Sequence, residues 1–161
     1  MAEGLSGLKV LLVDDNQHMR SIVSTILKSV GIHGVLEAHD GAEGLQLLRR
    51  VPIDIAIVDF CMEPIDGVAF TCMVRNSEDS TNRYLPIIMM TGFADKVRVV
   101  EARDAGVTEL VVKPVTARSV LDRLNAVVFH PRPFVKTDDY FGPLRRGIDD
   151  ADARTAVASR A

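Results

Sequence analysis

The residues whose types could do chemistry are polar side chains that each follow a short apolar run of the chain. They are Asp14, Asp15, Asp59, Thr91 and Lys113. Three carboxylates brought to one place would repel one another and have raised pKa values unless a cation lay among them. Hard oxygen ligands with room for water favour Mg²⁺, with Mn²⁺ as the alternative. The acidic residues therefore predict a divalent metal site.

This residue set also predicts phosphoryl-transfer chemistry. A metal ion and a lysine together neutralise the charge of a transferring phosphoryl group. An aspartate can itself be the nucleophile and form an aspartyl-phosphate, and we predict that Asp59 is this acceptor. The Thr91 hydroxyl is then expected to donate a hydrogen bond to the phosphoryl oxygens. Gly92 is expected to leave the space beside Asp59 open.

Each of these residues has a simpler interpretation when it is taken alone. Asp14 or Asp15 would more often be the N-cap of a helix. Thr91 would be a turn or cap residue, and Lys113 would be a solvated charge. The functional interpretation depends on the conjunction of these residues at the ends of four predicted strands.

The elements that must position these residues are five short apolar runs that alternate with amphipathic segments. The runs are continuous and rich in Val and Ile, which is typical of strands covered on both faces. The predicted strands are Lys9–Val13, 35–38, 55–58, 86–91 and 110–113. One helix is predicted between the first two strands, and the others near 42–50, 67–75, 95–105 and 116–128. This order predicts an α/β fold with a doubly wound parallel sheet and helices on both faces. Ligands bind such sheets at the carboxyl ends of the strands.

Four motifs, VLLVDD, IVDFCMEPIDG, IIMMTG and VVKP, resemble the receiver domain of two-component response regulators in order and spacing. The resemblance covers about residues 8–129. It implies a flavodoxin-like five-stranded parallel sheet of strand order 2-1-3-4-5. It also implies that Asp59 accepts a phosphoryl group from a sensor histidine kinase or a histidine phosphotransfer protein.

The resemblance further implies how the site is built. Mg²⁺ would be bound directly by Asp15, Asp59 and the backbone carbonyl of Cys61, and Asp14 would act largely through water. Lys113 would pair with the acidic cluster and then with the phosphate. The peptide bond that follows Lys113, before a proline, is expected to be cis.

Three features depart from the common receiver pattern. Leu110 stands three positions before the lysine, where many receivers have an aromatic residue that moves inward on activation. Glu63 adds a carboxylate near the metal, and Pro64 comes one position later than in many relatives. Cys61 and Phe93, which flank the phosphate, offer no carboxylate or amide that could orient an attacking water. We therefore predict slow self-dephosphorylation.

The composition limits the other functions that the chain could have. Of its 161 residues, 47% are hydrophobic and 25% are charged, and the net charge of -3 indicates no general affinity for nucleic acid or anionic membranes. The two cysteines are too few for a disulfide framework, and we interpret them as reduced thiols. There is no apolar run of the length of a membrane span and no signal-peptide pattern at the start. We expect a soluble, cytoplasmic protein.

Residues 130–161 differ in character from the predicted domain. This segment is rich in Pro, Asp, Ala and Arg, and we expect a C-terminal tail that is partly disordered and contains no output domain. Its aromatic residues Phe134, Tyr140 and Phe141 predict a strap that packs on the domain. Binding of nucleic acid by this tail is not expected, because its acidic residues balance its basic ones.

The sequence therefore predicts a single-domain response regulator that signals by phosphorylation-dependent binding to a downstream protein, as a monomer or as a phosphorylation-dependent homodimer. A phosphorelay shuttle or phosphate sink would use the same chemistry. A metal-dependent phosphatase with an aspartyl-phosphate intermediate is a third hypothesis. Such enzymes usually need a second aspartate two residues after the nucleophile, where this chain has Cys61. We therefore expect a phosphoacceptor and not an enzyme.

Overall fold

The computed structural model describes residues 4–93 and 95–145 of the chain. The strands of its main sheet are β1 (Lys9–Val13), β2 (Gly34–Ala38), β3 (Ile55–Asp59), β4 (Ile87–Thr91) and β5 (Glu109–Val112). The helices are α1 (Gln17–Ser29), α2 (Gly41–Arg50), α3 (Gly67–Asn76), α4 (Lys96–Ala105) and α5 (Ala117–Phe129). None of these helices is long and apolar enough to cross a membrane.

The five strands form one parallel sheet in the order β2-β1-β3-β4-β5. This order confirms the predicted flavodoxin-like fold. The stated bounds of the predicted strands and helices lie within one residue of the observed ones. The central strand β1 explains why the apolar runs are continuous, because Val10 and Leu12 pack into the core on one face of the sheet while Leu11 and Val13 pack into the core on the other.

The helices begin and end at residues whose side chains or backbone suit those positions. At each N-terminus a side-chain oxygen accepts a hydrogen bond from a backbone N–H of the first turn, which satisfies one of the helix's free donors. The five capping residues are Asn16, Asp40, Asp66, Asp95 and Thr116. At the C-terminus of α4, Gly106 has a φ of 102°, a left-handed conformation that glycine adopts without a steric penalty.

A short antiparallel hairpin, β6 (Phe134–Lys136) and β7 (Phe141–Pro143), follows α5. The side chains of Phe134, Tyr140 and Phe141 are buried, which confirms the predicted strap. The aromatic rings of Phe134, Phe141 and Tyr84, the last from the loop before β4, form a cluster with centroid separations of 5.1 to 5.7 Å. The prediction of disorder for the end of the tail concerns residues 146–161, which lie outside the described residues.

The hairpin covers Arg75, a fully buried residue of α3. Its Nε donates to the carbonyl of Gly106 at 3.0 Å, and its Nη1 donates to the carbonyl of Arg83 at 2.9 Å. The guanidinium carbon lies 4.9 Å from the centroid of the Phe134 ring, a cation–π contact. Burial lowers the pKa of Arg75. The hairpin therefore completes a buried polar network that joins the end of α3 to the end of α4.

Candidate functional site

The three predicted acidic residues meet at the carboxyl edge of the sheet. β1 and β3 are neighbours, and Val13 lies opposite Val58. Asp14 and Asp59, the residues that follow these two valines, therefore lie side by side. Asp14, Asp15 and Asp59 each present a carboxylate oxygen, and these oxygens lie within 4.8 Å of one another. The first and last of these residues are buried, whereas Asp15 is exposed. His18 lies exposed in the first turn of α1 and is not part of this group.

Lys113, the first residue after β5, reaches this cluster with its side chain. Its Nζ lies 2.7 Å from Oδ1 of Asp59. Its backbone N–H donates to the carbonyl of Thr91 at 2.8 Å, which holds the start of the β5–α5 loop against the end of β4. The peptide bond between Lys113 and Pro114 is cis, in agreement with the resemblance. The structure therefore brings the lysine and the acidic cluster together.

The turn after β1 leaves the carboxylates of Asp14 and Asp15 free of a capping role, because Asn16 caps α1. One carboxylate oxygen of Asp14, Oδ1, accepts the backbone N–H of Asn16 at 2.9 Å. The guanidinium of Arg20 donates to the backbone carbonyl of Asp14 at 2.6 Å and forms an ion pair with Glu37 at 3.1 Å. Sequence reasoning missed this support, although a basic residue one turn into the helix after an acidic pair is a signal for it.

The electrostatics of the cluster favour a bound cation. Burial raises the pKa of Asp14 to about 6, and the charge of the nearby Asp59 carboxylate contributes to this rise. The pKa of Asp59 is also raised, because desolvation outweighs the opposing effect of Lys113. Oδ2 of Asp14 is buried and has no hydrogen-bond partner among the described residues. An unpaired buried oxygen of this kind costs free energy unless an ion or water satisfies it.

The hydroxyl of Thr91 is engaged with the loop after β4. It donates to the carbonyl of Phe93 at 2.9 Å and lies 3.2 Å from the backbone nitrogen of the same residue. Contact between this hydroxyl and a group on Asp59 therefore requires those hydrogen bonds to break. The space at Gly92 is open as predicted, since a Cβ built on it has no atom of the described residues within 4 Å, its two chain neighbours aside.

Gly67, the first residue of α3, lies against the backbone of β3. A Cβ at this position would lie 2.5 Å from the backbone oxygen of Asp59. Its N–H donates to the carbonyl of Phe60 at 3.0 Å. The close approach explains the Asp66-Gly67 pair of the sequence motif, in which the aspartate caps α3 and the glycine admits the strand.

An open cleft of about 710 Å³ lies between the β3–α3 loop and α4, and Asp15 lines it. Cys61, Glu63 and Arg98 line the same cleft. Sequence reasoning missed Arg98, which lies in the first turn of α4. The half-buried Leu110 packs on the hydrophobic cluster that contains Phe60.

A parallel sheet whose carboxyl edge carries three clustered carboxylates and a lysine is the architecture of a phosphoacceptor domain. The family model described as the response regulator receiver domain matches residues 10–125. The chain therefore belongs to the response regulator receiver domain family. Members of this family are phosphoacceptor signalling proteins and not classical enzymes.

Curated relatives and solved structures include several chemotaxis proteins. The chain is 32% identical over 120 residues to the chemotaxis protein CheY-3 of Vibrio cholerae, covering 74% of this chain and 91% of the relative. It is 32% identical over 120 residues to the chemotaxis protein CheY of Pseudomonas aeruginosa, covering 74% of this chain and 95% of the relative. The structure of the chemotaxis response regulator CheY4 of Vibrio cholerae superposes with a TM-score of 0.68 at 32% identity, over 74% of this chain and 98% of that chain.

Proposed function

We propose that this receiver domain accepts a phosphoryl group on Asp59 from a sensor histidine kinase or a histidine phosphotransfer protein. The observation that carries the proposal is the position of the Asp59 carboxylate, which lies beside two further carboxylates and 2.7 Å from the ammonium of Lys113. The likeness to chemotaxis proteins supports the same function. The phosphate-accepting unit is proposed to span residues 8–129.

The metal proposed for this site is Mg²⁺, with Mn²⁺ as the alternative. Its ligands would be Asp15, Asp59 and the backbone carbonyl of Cys61, with Asp14 nearby through water. The residues fit such an ion, because they supply hard oxygen donors and because the buried Oδ2 of Asp14 has no hydrogen-bond partner in the described part of the chain. A bound ion would supply positive charge that neutralises the phosphoryl oxygens.

In the transfer step, a carboxylate oxygen of Asp59 attacks the phosphorus of a phosphohistidine. The new O–P bond forms as the N–P bond breaks, and the electron pair of that bond returns to the imidazole nitrogen of the donor. The ammonium of Lys113 lies beside the acceptor carboxylate and compensates the negative charge that arrives with the phosphoryl group. The product is an aspartyl-phosphate.

The aspartyl-phosphate would change the binding surface formed by α4, β5 and α5. Rotation of Thr91 toward the phosphoryl oxygens would release the two hydrogen bonds that its hydroxyl makes with Phe93. The loop that leads into α4 would then move, and a downstream protein that prefers one state would read the change. Loss of the phosphoryl group by hydrolysis is expected to be slow. We propose no nucleic acid or membrane as a partner.

Incubation with acetyl phosphate and Mg²⁺, followed by intact-mass measurement, tests this function. The native chain should gain one phosphate, and Asp59→Asn should gain none. Omission of the metal should reduce the gain strongly. A gain of one phosphate by both chains would refute Asp59 as the acceptor.

A phosphorelay shuttle is the second candidate. Leu110 occupies the position of the usual aromatic residue. It has no hydroxyl and is only half-buried. This favours the shuttle, a function that does not require an aromatic side chain to move. Mixing the phosphorylated chain with a histidine phosphotransfer protein separates the two functions. Rapid transfer of the phosphate back to histidine supports the shuttle, and retention of the phosphate on the chain supports the binding switch.

A further inference from the structure

The side chain of Arg98 is held by three groups around the cleft that Asp15 lines. Its Nη1 lies 3.4 Å from the Sγ of Cys61. Its guanidinium carbon lies 5.0 Å from the ring centroid of Phe60 and 5.0 Å from that of Phe93. These contacts hold a helix side chain against residues that follow both β3 and β4, so the guanidinium spans the two loops that border the acceptor.

The charge around Arg98 also distinguishes it. The cleft is rich in carboxylates, and Arg98 is the cation among the described residues that line it. Its closest carboxylate is that of Asp95, and Nε of Arg98 lies 3.8 Å from it, which is a long ion pair. Among the described residues, the guanidinium otherwise contacts a thiol and two rings, which are weak acceptors compared with a phosphate oxygen. A planar five-donor group is therefore held in the cleft that Asp15 lines, by contacts that a stronger anion would replace.

We propose that Arg98 contacts the phosphoryl group once it is on Asp59 and shields it from water, so that it sets the lifetime of the aspartyl-phosphate. This inference rests on the proposed acceptor role of Asp59. The guanidinium would exchange the Cys61 thiol for a phosphoryl oxygen, while the ring of Phe60, in the β3–α3 loop, continues to hold its plane. An arginine suits this position because its fork of N–H donors matches phosphate oxygens.

The reaction that Arg98 would slow is hydrolysis. A water oxygen attacks the phosphorus, the bond between phosphorus and the Asp59 oxygen breaks, and its electron pair returns to the carboxylate. The water loses a proton to the solvent, and inorganic phosphate leaves. A guanidinium that lies over the outer face of the phosphoryl group occupies the path of that water. Cys61 and Phe93, the neighbours of Arg98, have no carboxylate or amide that would orient this water.

The test compares decay of the phosphorylated native chain with that of two variants, after removal of the phosphate donor. Arg98→Ala removes the whole side chain, and Arg98→Met keeps much of its bulk but removes its charge and donors. Both should lose phosphate at least about fivefold faster than the native chain. Arg103→Ala, a change in the same helix that lies outside this cleft, should decay at the native rate. Native decay in both Arg98 variants would overturn the inference.

Two further readouts separate contact from a structural role. The ³¹P resonance of the aspartyl-phosphate should shift in Arg98→Met relative to the native chain, and an unchanged resonance would overturn the contact. The urea midpoint of unfolding should stay close to native, since the Arg98 side chain is partly exposed. If the native chain gains no phosphate, or if Asp59→Asn gains the same phosphate, the proposed function fails and the inference fails with it. If it gains that phosphate and the variants decay at the native rate, only the inference fails.

Discussion

Nζ of Lys113 lies 2.7 Å from Oδ1 of Asp59, although β3, which ends at Asp59, and β5, which precedes Lys113, are not neighbours. β4 lies between β3 and β5, so the lysine side chain crosses the end of β4 to reach the carboxylate. The Asp59 side chain is 7% exposed, and the Lys113 side chain is 29% exposed. The pair is therefore partly buried, and removal of one partner leaves the other with an uncompensated charge.

Replacement of the lysine should slow phosphorylation. We expect Lys113→Met to reduce the rate of phosphorylation by acetyl phosphate by at least about tenfold, because one of the charges that stabilise the arriving phosphoryl group is lost. Lys28→Met is a matched control, since Lys28 lies exposed in the last turn of α1. Initial rates from intact mass measure both. A rate for Lys113→Met within about a factor of two of native would contradict the role given to the lysine.

The metal-free protein should become less stable as the pH rises from about 4 to about 6. The pKa of Asp14 is raised from its ordinary 3.8 to about 6, so the folded state holds a proton that the unfolded state has released across this window. More protons bound in the folded state mean that stability falls with rising pH. We expect a loss on the order of 1 to 3 kcal/mol in the free energy of unfolding. Urea titrations at several pH values measure it.

Magnesium should reverse this trend, because it binds the deprotonated carboxylates. The stabilisation by Mg²⁺ should be small near pH 4 and grow as the pH rises through 6. Asp14→Asn should flatten the metal-free profile, although the raised pKa of Asp59 should leave part of the slope. A metal-free stability that rises between pH 4 and 6 would contradict the electrostatics described here.

A methyl group at position 67 should disturb β3, the strand that ends at Asp59. The Cβ of Gly67→Ala would lie 2.5 Å from the backbone oxygen of Asp59, and no flexible side chain can yield at that contact. We expect a loss of about 1 to 3 kcal/mol in the free energy of unfolding and slower phosphorylation. Gly7→Ala is the control, because a Cβ there meets no other atom within 4 Å. Equal stabilities of the two variants would show that the strand adjusts freely.

The C-terminal hairpin should contribute to stability without taking part in the chemistry. Phe134→Ala removes a ring that is 9% exposed and contacts the buried Arg75, and we expect it to cost about 3 kcal/mol. Phe129→Ala, at a ring that is 50% exposed, should cost less than about 1 kcal/mol. Both variants should accept phosphate while folded. Chemical denaturation distinguishes them, and equal costs would mean that the hairpin packs only loosely.

Much of this fold could be predicted from the sequence because its signals are local. The continuous run Lys9–Val13 is typical of a strand covered on both faces, and Thr116 is typical of a helix N-cap. Because the strands are parallel, their carboxyl ends lie at one edge of the sheet. The proximity of Asp59 to Asp14 and Asp15 follows from this. The resemblance to receiver domains supplied the cis bond after Lys113, which no local pattern indicates.

The features that sequence reasoning missed depend on contacts between distant parts of the chain. Arg98 is separated by 37 positions from Cys61, and nothing in the spacing indicates that they touch. The direction of the Thr91 hydroxyl depends on the backbone of the loop that follows it. Burial of Arg75 needs the hairpin, which lies beyond the last helix of the receiver fold. Long polar side chains can reach many positions, so their partners are visible only in three dimensions.

The most direct test of the central claim is chemical identification of the phosphorylated residue. Borohydride reduces an aspartyl-phosphate to homoserine, which peptide mapping by mass spectrometry locates in the chain. After treatment with acetyl phosphate and Mg²⁺, we predict homoserine at position 59 and at neither position 14 nor position 15. Homoserine at either of those two positions, or at none, would contradict the assignment of Asp59 as the acceptor.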